Sequence, residues 1–200
     1  MKIERLALLF ACLLLVPVSA SAQDFGIMES AETINPGNFK VRANPLLLFG
    51  RNGGDNDFGV AGVLGYGFAP RFDVEGGVAI YDGVQFFGAN AEFWVVKDSP
   101  LDVSVAFGLH RRTGDLTEDF NGIDLTLLGG GHVSPHLELY AGFDFAFEGF
   151  GVPGDFTQAL LVPGVEYKVN DTIDLLGEFG IALNDSSRNY ISGGIAIYFR

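Results

Sequence analysis

Three things are scarce in this 200-residue chain, and each scarcity excludes a class of protein. The only cysteine is Cys12, near the N-terminus, so the rest of the chain has no disulfide or thiol chemistry. Outside one N-terminal stretch, no apolar run reaches the roughly 20 residues that a membrane-spanning helix needs. Basic residues number 12 against 25 acidic ones, and the resulting net charge of −13 predicts no nucleic-acid partner.

The N-terminal stretch has the layout of a secretory signal peptide. Basic Lys2 and Arg5 precede an apolar run over residues 6–18, and small residues follow in Ala20-Ser21-Ala22. We predict a signal peptide at residues 1–22, cleaved after its last alanine. These residues hold two basic and one acidic side chain, so 10 basic and 24 acidic residues remain after cleavage. An uncleaved anchor helix is the alternative, but the apolar run is short for one.

The remaining sequence alternates apolar and polar residues in ten runs, each bounded by turn residues. Alternation with period 2 places apolar side chains on one face of a strand and polar ones on the other. Before these runs, residues 23–37 end in the turn signal Asn35-Pro36-Gly37 and form a predicted lead-in. The predicted strands are Asn38–Phe49, Phe58–Ala69, Phe72–Tyr81, Val84–Lys97, Leu101–Arg111, Ile123–Ser134, Leu137–Glu148, Phe156–Lys168, Ile173–Asn184 and Tyr190–Arg200.

Strand length and connection length together favour a closed barrel in a membrane. The runs are about ten residues long, as tilted membrane-spanning strands are, whereas the strands of soluble proteins are about half that length. Long connections alternate with short ones at Pro70-Arg71, Asp98–Pro100, Pro135-His136 and Asn170–Thr172. Outer-membrane barrels have such short turns on the periplasmic side. We therefore predict an all-β, antiparallel up-and-down transmembrane barrel over residues 38–200, with ten strands or, alternatively, eight.

The last run is predicted to close the barrel against the first. Its apolar face holds Ile191, Ile195, Ile197 and Phe199, and its other face begins at Tyr190. A secreted soluble β-protein of lipocalin or jelly-roll type is the alternative, but a water-facing surface should not be rich in large apolar residues. In the first run, a proline at position 45 predicts a bulge or an interruption of the hydrogen-bond ladder.

Several sequence features occur together here as they do in one known family. They are the signal peptide, Ser30-Ala31-Glu32-Thr33-Ile34 leading to Gly37-x-Phe39-x-Val41, the strand–Pro-Arg–strand unit, and Pro163-Gly164-Val165-Glu166-Tyr167 before a tight turn. In these the chain resembles the small porin-like outer-membrane β-barrel proteins of Gram-negative bacteria. It departs from them in the Arg200 that follows the final aromatic residue.

The resemblance covers the whole mature chain and is specific for architecture. It implies that the protein lies in the cell outer membrane, with both termini and the lead-in at residues 23–37 in the periplasm. It also implies contact with outer-membrane lipid and lipopolysaccharide, and delivery by periplasmic chaperones and the barrel-assembly machinery. We expect a monomer.

The polar strand faces would point into the barrel and collect most of its charges. The predicted lumen-facing charged network comprises Lys40, Arg42, Asp73, Glu75, Glu92, Asp102, Asp124, Glu138, Asp144, Glu166, Lys168, Asp174, Glu178 and Arg200. Because buried charges must be paired, we interpret it as an internal network of salt bridges and water. A polar channel that attracts cations is the alternative. We expect Arg200 to lie near Lys40 and Arg42 as a counter-charge for the acidic interior.

Three histidines raise the hypothesis of an enzyme. His132 and Ser134 are similar to the His/Ser pair of outer-membrane lipid A deacylases, but they are predicted at the periplasmic end, away from the outer leaflet. His132 and His136 flank a turn at metal-ligand spacing, although two histidines alone are weak evidence for a metal. His110 lies at the other end of its strand, where acidic residues of the next two strands are its potential neighbours.

From these observations we predict no catalytic residue, no metal and no cofactor. The leading interpretation is a non-enzymatic integral outer-membrane barrel. It would be a narrow pore or passage for small or hydrophobic compounds, or a structural surface barrel. The alternatives are a lipid A-modifying enzyme and a surface barrel for adhesion or binding.

Overall fold

The computed structural model describes residues 26–51, 54–81, 83–97, 100–114, 119–149 and 156–200, without the side chain of Phe156. The predicted signal peptide lies outside these residues. The strands are β1 (Phe39–Leu48), β2 (Asp57–Ala69), β3 (Phe72–Tyr81), β4 (Val84–Val96), β5 (Asp102–Gly114), β6 (Phe120–Ser134), β7 (Leu137–Glu148), β8 (Phe156–Asn170), β9 (Ile173–Ala182) and β10 (Tyr190–Phe199). In the described part of the chain, no helix is long and apolar enough to span a membrane.

All ten strands belong to one closed antiparallel barrel, in which each strand pairs with its neighbours in sequence and β10 pairs with β1. The predicted all-β barrel of ten strands is therefore confirmed, and the alternative of eight strands is wrong. Strands β3 and β7 begin and end at the predicted residues. Strands β5 and β6 extend further than predicted, because Arg111 and Arg112 still pair with Asn121 and Phe120.

The outer surface is apolar, as the period-2 pattern predicts. The exposed large apolar side chains on it range from 36% to 60% in exposure, with Ile80 at 60%, Phe58 at 58% and Phe107 at 56%. We call the end of the barrel where β1 begins and β10 ends the turn end, and the opposite end the loop end. A belt of aromatic rings surrounds part of the turn end, running Phe199, Phe39, Tyr66, Phe68, Phe72 and Phe93, with ring centroids 4.7–6.0 Å apart. Such aromatic girdles mark the membrane interface of transmembrane barrels.

The seam between β1 and β10 runs from the pair Phe39–Phe199 to the pair Leu48–Tyr190. Cα pairing skips residues 44 and 45 and then resumes in the same register. Pro45 has no N–H to donate, so the ladder is interrupted here without a bulge. The Ser192 hydroxyl donates to the Pro45 carbonyl oxygen over 2.8 Å and bridges the gap.

Inside the barrel, tyrosine rings lie over glycines of neighbouring strands, for example in two pairs within strands β7 to β10. Tyr140 pairs with Gly164, and Tyr190 pairs with Gly180. A Cβ atom at either glycine would overlap the tyrosine ring. Glycine is therefore required at these positions for close packing, and the alternation of the sequence alone does not show that requirement.

Replacing Ile195 by arginine tests the lipid-facing surface. Ile195 is 38% exposed and lies midway along β10. Arginine on the lipid face near the bilayer centre costs about 2–4 kcal/mol, so we expect Ile195→Arg to lower the free energy of unfolding in lipid vesicles by that amount. Ser186→Arg, in the exposed loop before β10, should change it little. Equal stability of the two variants would contradict a lipid-facing β10.

Replacing Gly164 by alanine tests the tyrosine packing. The added methyl group meets the ring of Tyr140, and overpacking of this kind costs about 1–3 kcal/mol. The control is Gly62→Ala, where a Cβ atom has nothing within 4 Å. We expect only Gly164→Ala to lower the urea midpoint of the refolded barrel. A midpoint lowered equally by both variants would indicate a backbone effect instead.

Candidate functional site

Inside the barrel, the lumen is occupied by the chain's own N-terminal residues. Residues 26–36, which we call the inner segment, run from the start of β1 into the lumen, and Ile27, Met28, Ala31 and Ile34 are at most 5% exposed. These residues belong to the stretch predicted as a periplasmic lead-in. They fit within the lumen because several wall positions are glycines: a Cβ atom at Gly142, for example, would overlap Ile27.

Three charged side chains of the barrel wall hold the backbone of the inner segment. Arg42 on β1 donates through Nη1 to the carbonyl oxygens of Ile27 and Met28, over 2.5 and 2.8 Å. The N–H of Met28 donates to Glu178 Oε2 and the N–H of Ile34 to Asp73 Oδ2, both over 2.6 Å. Buried backbone groups need partners, so these wall side chains take the place of a strand ladder.

Lys40 is a second link between the wall and the inner segment. Its Nζ contacts the Glu75 carboxylate on β3 and lies 3.3 Å from Oε2 of Glu29 on the inner segment. Glu29 lies outside the strands; burial, followed by the charge of Glu75, raises its pKa to about 8. Lys40 is thus held between one acidic side chain of the wall and one of the inner segment.

Nearer the loop end, a histidine connects three strands. His110 on β5 is fully buried, with Nδ1 3.0 Å from Oδ2 of Asp124 on β6 and with Nε2 in contact with Glu148 on β7. The acidic neighbours that the sequence suggests for His110 are thus the ones it has. Both ring nitrogens face carboxylates, which makes the group an internal cross-link.

Apolar side chains fill the lumen towards the loop end. Leu48, Tyr81, Phe86, Leu160 and Tyr190 are all at most 7% exposed and belong to one buried cluster. Cavities in the described part of the barrel include one of about 40 Å³ beside the inner segment and one of about 110 Å³ at the turn end. Neither of these cavities is large enough to be an open channel, and among the described residues the inner segment and the apolar side chains fill the lumen.

The structure places most of the predicted charged network inside the barrel. Eleven of its fourteen members are buried, namely Lys40, Arg42, Asp73, Glu75, Glu92, Asp102, Asp124, Glu138, Asp144, Asp174 and Glu178. Glu166 is half-buried, and Lys168 and Arg200 are exposed. Arg200 lies beyond the end of β10, so the buried counter-charges come from Lys40 and Arg42.

Sequence reasoning did not include Glu29 and Glu32 of the inner segment among the site residues. Neither lies on a strand, so period-2 alternation carries no signal for them. The only hint is the lack of a strand pattern in residues 23–37 beside four apolar residues that turn out to be buried.

The His/Ser pair at the turn end does not have the geometry of a nucleophile and its base. The Ser134 hydroxyl accepts a hydrogen bond from the backbone N–H of His136 over 3.3 Å. The ring of His132 instead lies 3.8 Å from Glu32 and 3.9 Å from Glu138. His136 Nδ1 lies 3.1 Å from the carbonyl oxygen of Lys168.

Solved structures with a similar fold include an outer-membrane channel and a porin. An outer-membrane channel from Pseudomonas putida F1 has a TM-score of 0.55 at 9% identity, covering 84% of this chain and 98% of that one. The KdgM porin in complex with disordered oligogalacturonate has a TM-score of 0.51 at 12% identity, covering 80% and 99%. At such identities the likeness shows the fold alone. No curated protein sequence matches the chain.

A family model agrees with the architecture and extends over almost the whole chain. The model described as the outer membrane protein beta-barrel domain matches residues 8–196. With its closed ten-stranded barrel, apolar outer surface and charged interior, this chain belongs to the outer membrane protein β-barrel domain family.

Proposed function

We propose that this protein is a non-enzymatic outer-membrane passage for small solutes, held closed by its own inner segment. In this proposal the turn end faces the periplasm. The observation that carries it is the hydrogen bonding of residues 26–36 to charged wall side chains, Arg42, Asp73 and Glu178, in a lumen that is otherwise polar at that end.

The charged lining favours a passage over a permanent core. Burying ion pairs contributes little to stability, and replacing them with packed apolar residues is often neutral or stabilising. A lumen filled for structural reasons alone would therefore have no need of Asp73, Glu75 and Glu92, all at most 4% exposed. If the inner segment left the lumen, the same residues would form a hydrated acidic lining that attracts cations.

Small residues of the wall leave space beside the inner segment. The 40 Å³ cavity lies between Ile27 of the inner segment and a wall that includes Gly77, Gly88, Ala106 and Gly108. A barrel of ten strands has a narrow interior, which restricts the passage to small solutes. The large apolar side chains at the loop end act as a hydrophobic constriction, which can gate a pore by excluding water.

The contacts of the candidate catalytic residues support the absence of catalysis. His110 is fully buried between two carboxylates, and Ser134 pairs with backbone. Nucleophilic catalysis needs a nucleophile in contact with its base, and these contacts of His110 and Ser134 do not bring the two together.

A structural surface barrel is the second candidate, and the closed lumen is the observation that favours it. In that case the inner segment is a permanent part of the core. The two candidates differ in what happens when the segment is removed or released.

Conductance measurements on purified protein in planar bilayers separate them. We expect the mature protein to be silent or to open rarely, and a variant that lacks residues 23–36 to show persistent, cation-selective step currents. Arg42→Met is a milder variant: it removes the charged donor to two buried carbonyl oxygens, and such hydrogen bonds contribute about 1.5–3 kcal/mol. It should therefore raise the fraction of time spent open.

A disulfide that locks the inner segment provides the matched control. Ile34 Cδ1 lies 2.5 Å from where a Cβ atom at position 65 would stand, so the two positions are adjacent and Ile34→Cys with Gly65→Cys is the pair chosen for this cross-link. The predicted mature chain has no other cysteine. The oxidised double variant should never open, and reduction should restore the openings of the parent. A folded deletion variant without any step current would refute the passage and leave the structural barrel.

A further inference from the structure

The turn-end mouth of the lumen brings together three metal-ligating side chains that lie far apart in the sequence. Glu32 comes from the inner segment, His132 from the end of β6 and Glu138 from the start of β7, where it pairs with His132 across the ladder. All three line the 110 Å³ cavity. One ligand atom from each lies within 4.8 Å of the other two.

The burial of these groups suits a site that a cation enters from the mouth. The side chains of Glu32 and His132 are 42% and 48% exposed, so they are free to turn towards an ion. Glu138 is 3% exposed, and its Oε1 has no hydrogen-bond partner among the described residues. A buried carboxylate oxygen without a partner is costly, and a bound cation would satisfy it.

The surroundings supply little positive charge that could satisfy the Glu138 carboxylate. Lys40, which also lines this cavity, is engaged by Glu75 and Glu29. Lys168 is exposed and lies 3.8 Å from Asp171. The mouth therefore has a surplus of acidic groups, with Glu138 at its buried edge.

We propose that Glu32, His132 and Glu138 bind a divalent transition-metal ion, with Zn²⁺ as the representative. One imidazole nitrogen and two carboxylates form a donor set that suits Zn²⁺, whereas Ca²⁺ and Mg²⁺ prefer oxygen ligands alone. Ligand bonds to Zn²⁺ are about 2.0–2.2 Å long, so the side chains of Glu32 and His132 must move about an ångström closer to the ion. Water completes the coordination.

Such an ion would join the inner segment to the barrel wall. Glu32 lies two residues before Ile34, whose N–H is held by Asp73, and the metal would add a second attachment close to the mouth. The site requires the docked inner segment, but it does not depend on whether the lumen ever conducts. It goes beyond the proposed passage and is tested separately from it.

Calorimetric titration of the full mature protein in detergent with Zn²⁺, after removal of bound metal by a chelator, tests this site. We expect one Zn²⁺ per barrel in the parent. Loss of a partner behind a metal ligand already costs about 10–100-fold in affinity, so His132→Gln and Glu32→Gln should each weaken binding by at least about tenfold. Ca²⁺ should not compete at equal concentration.

His136→Gln is the matched control, because His136 lines the same mouth but contacts the Lys168 carbonyl oxygen. It should leave the affinity unchanged. Visible spectra of the Co²⁺-loaded protein provide a readout that folding alone does not affect, and His132→Gln should alter the bands. Heat-dependent gel mobility verifies that each variant is a folded barrel. Equal weakening by His132→Gln and His136→Gln, no effect of Glu32→Gln, or no Zn²⁺ binding by the parent would overturn the proposal.

Discussion

The carboxylate of Glu178 connects the wall of this barrel to the inner segment that fills it. On β9, it accepts hydrogen bonds from the hydroxyls of Tyr140 on β7 and Tyr190 on β10, and from the backbone N–H of Met28 in the inner segment. A buried carboxylate is tolerated only when such donors surround it. The two tyrosines reach it because glycines lie under their rings, so close strand packing and the docking of the inner segment depend on the same group.

The two ends of the lumen are filled by different kinds of side chain. Towards the loop end the barrel is filled mainly by its own apolar side chains, such as Leu48 and Phe86, with the buried His110 group beside them. Towards the turn end its lining is charged, and backbone groups of the inner segment hydrogen-bond to that lining. A polar layer contributes little to stability but can exchange its partners for water. For this reason we place both the movable inner segment of the proposed passage and the proposed cation site in the turn-end half of the lumen and its mouth.

The charged residues of the site were predictable as a set but not as contacts. Strand alternation places Asp73 and Glu75 on the inner face whatever the strand is next to, because the period is a property of the backbone. Which cation meets which carboxylate depends on register and on the inner segment. Arg200 was therefore expected as a counter-charge and is instead exposed beyond β10, while Lys40 fills that role. The grouping of Glu32 with His132 spans a hundred residues, and no local pattern indicates it.

Local sequence was sufficient for the barrel itself. Period-2 alternation, turn residues and the even number of runs specify ten strands, their inner and outer faces and their order, since an up-and-down barrel pairs neighbours in sequence. The interruption of the ladder at Pro45 is equally local, because it follows from a missing N–H. The position of residues 26–36 is different. These residues have no strand period, and they lie inside because the closed barrel leaves room at its glycines and presents Arg42, Asp73 and Glu178 to their backbone. That arrangement exists only after β1 and β10 have met, so the closing of the lumen is a property of the assembled barrel.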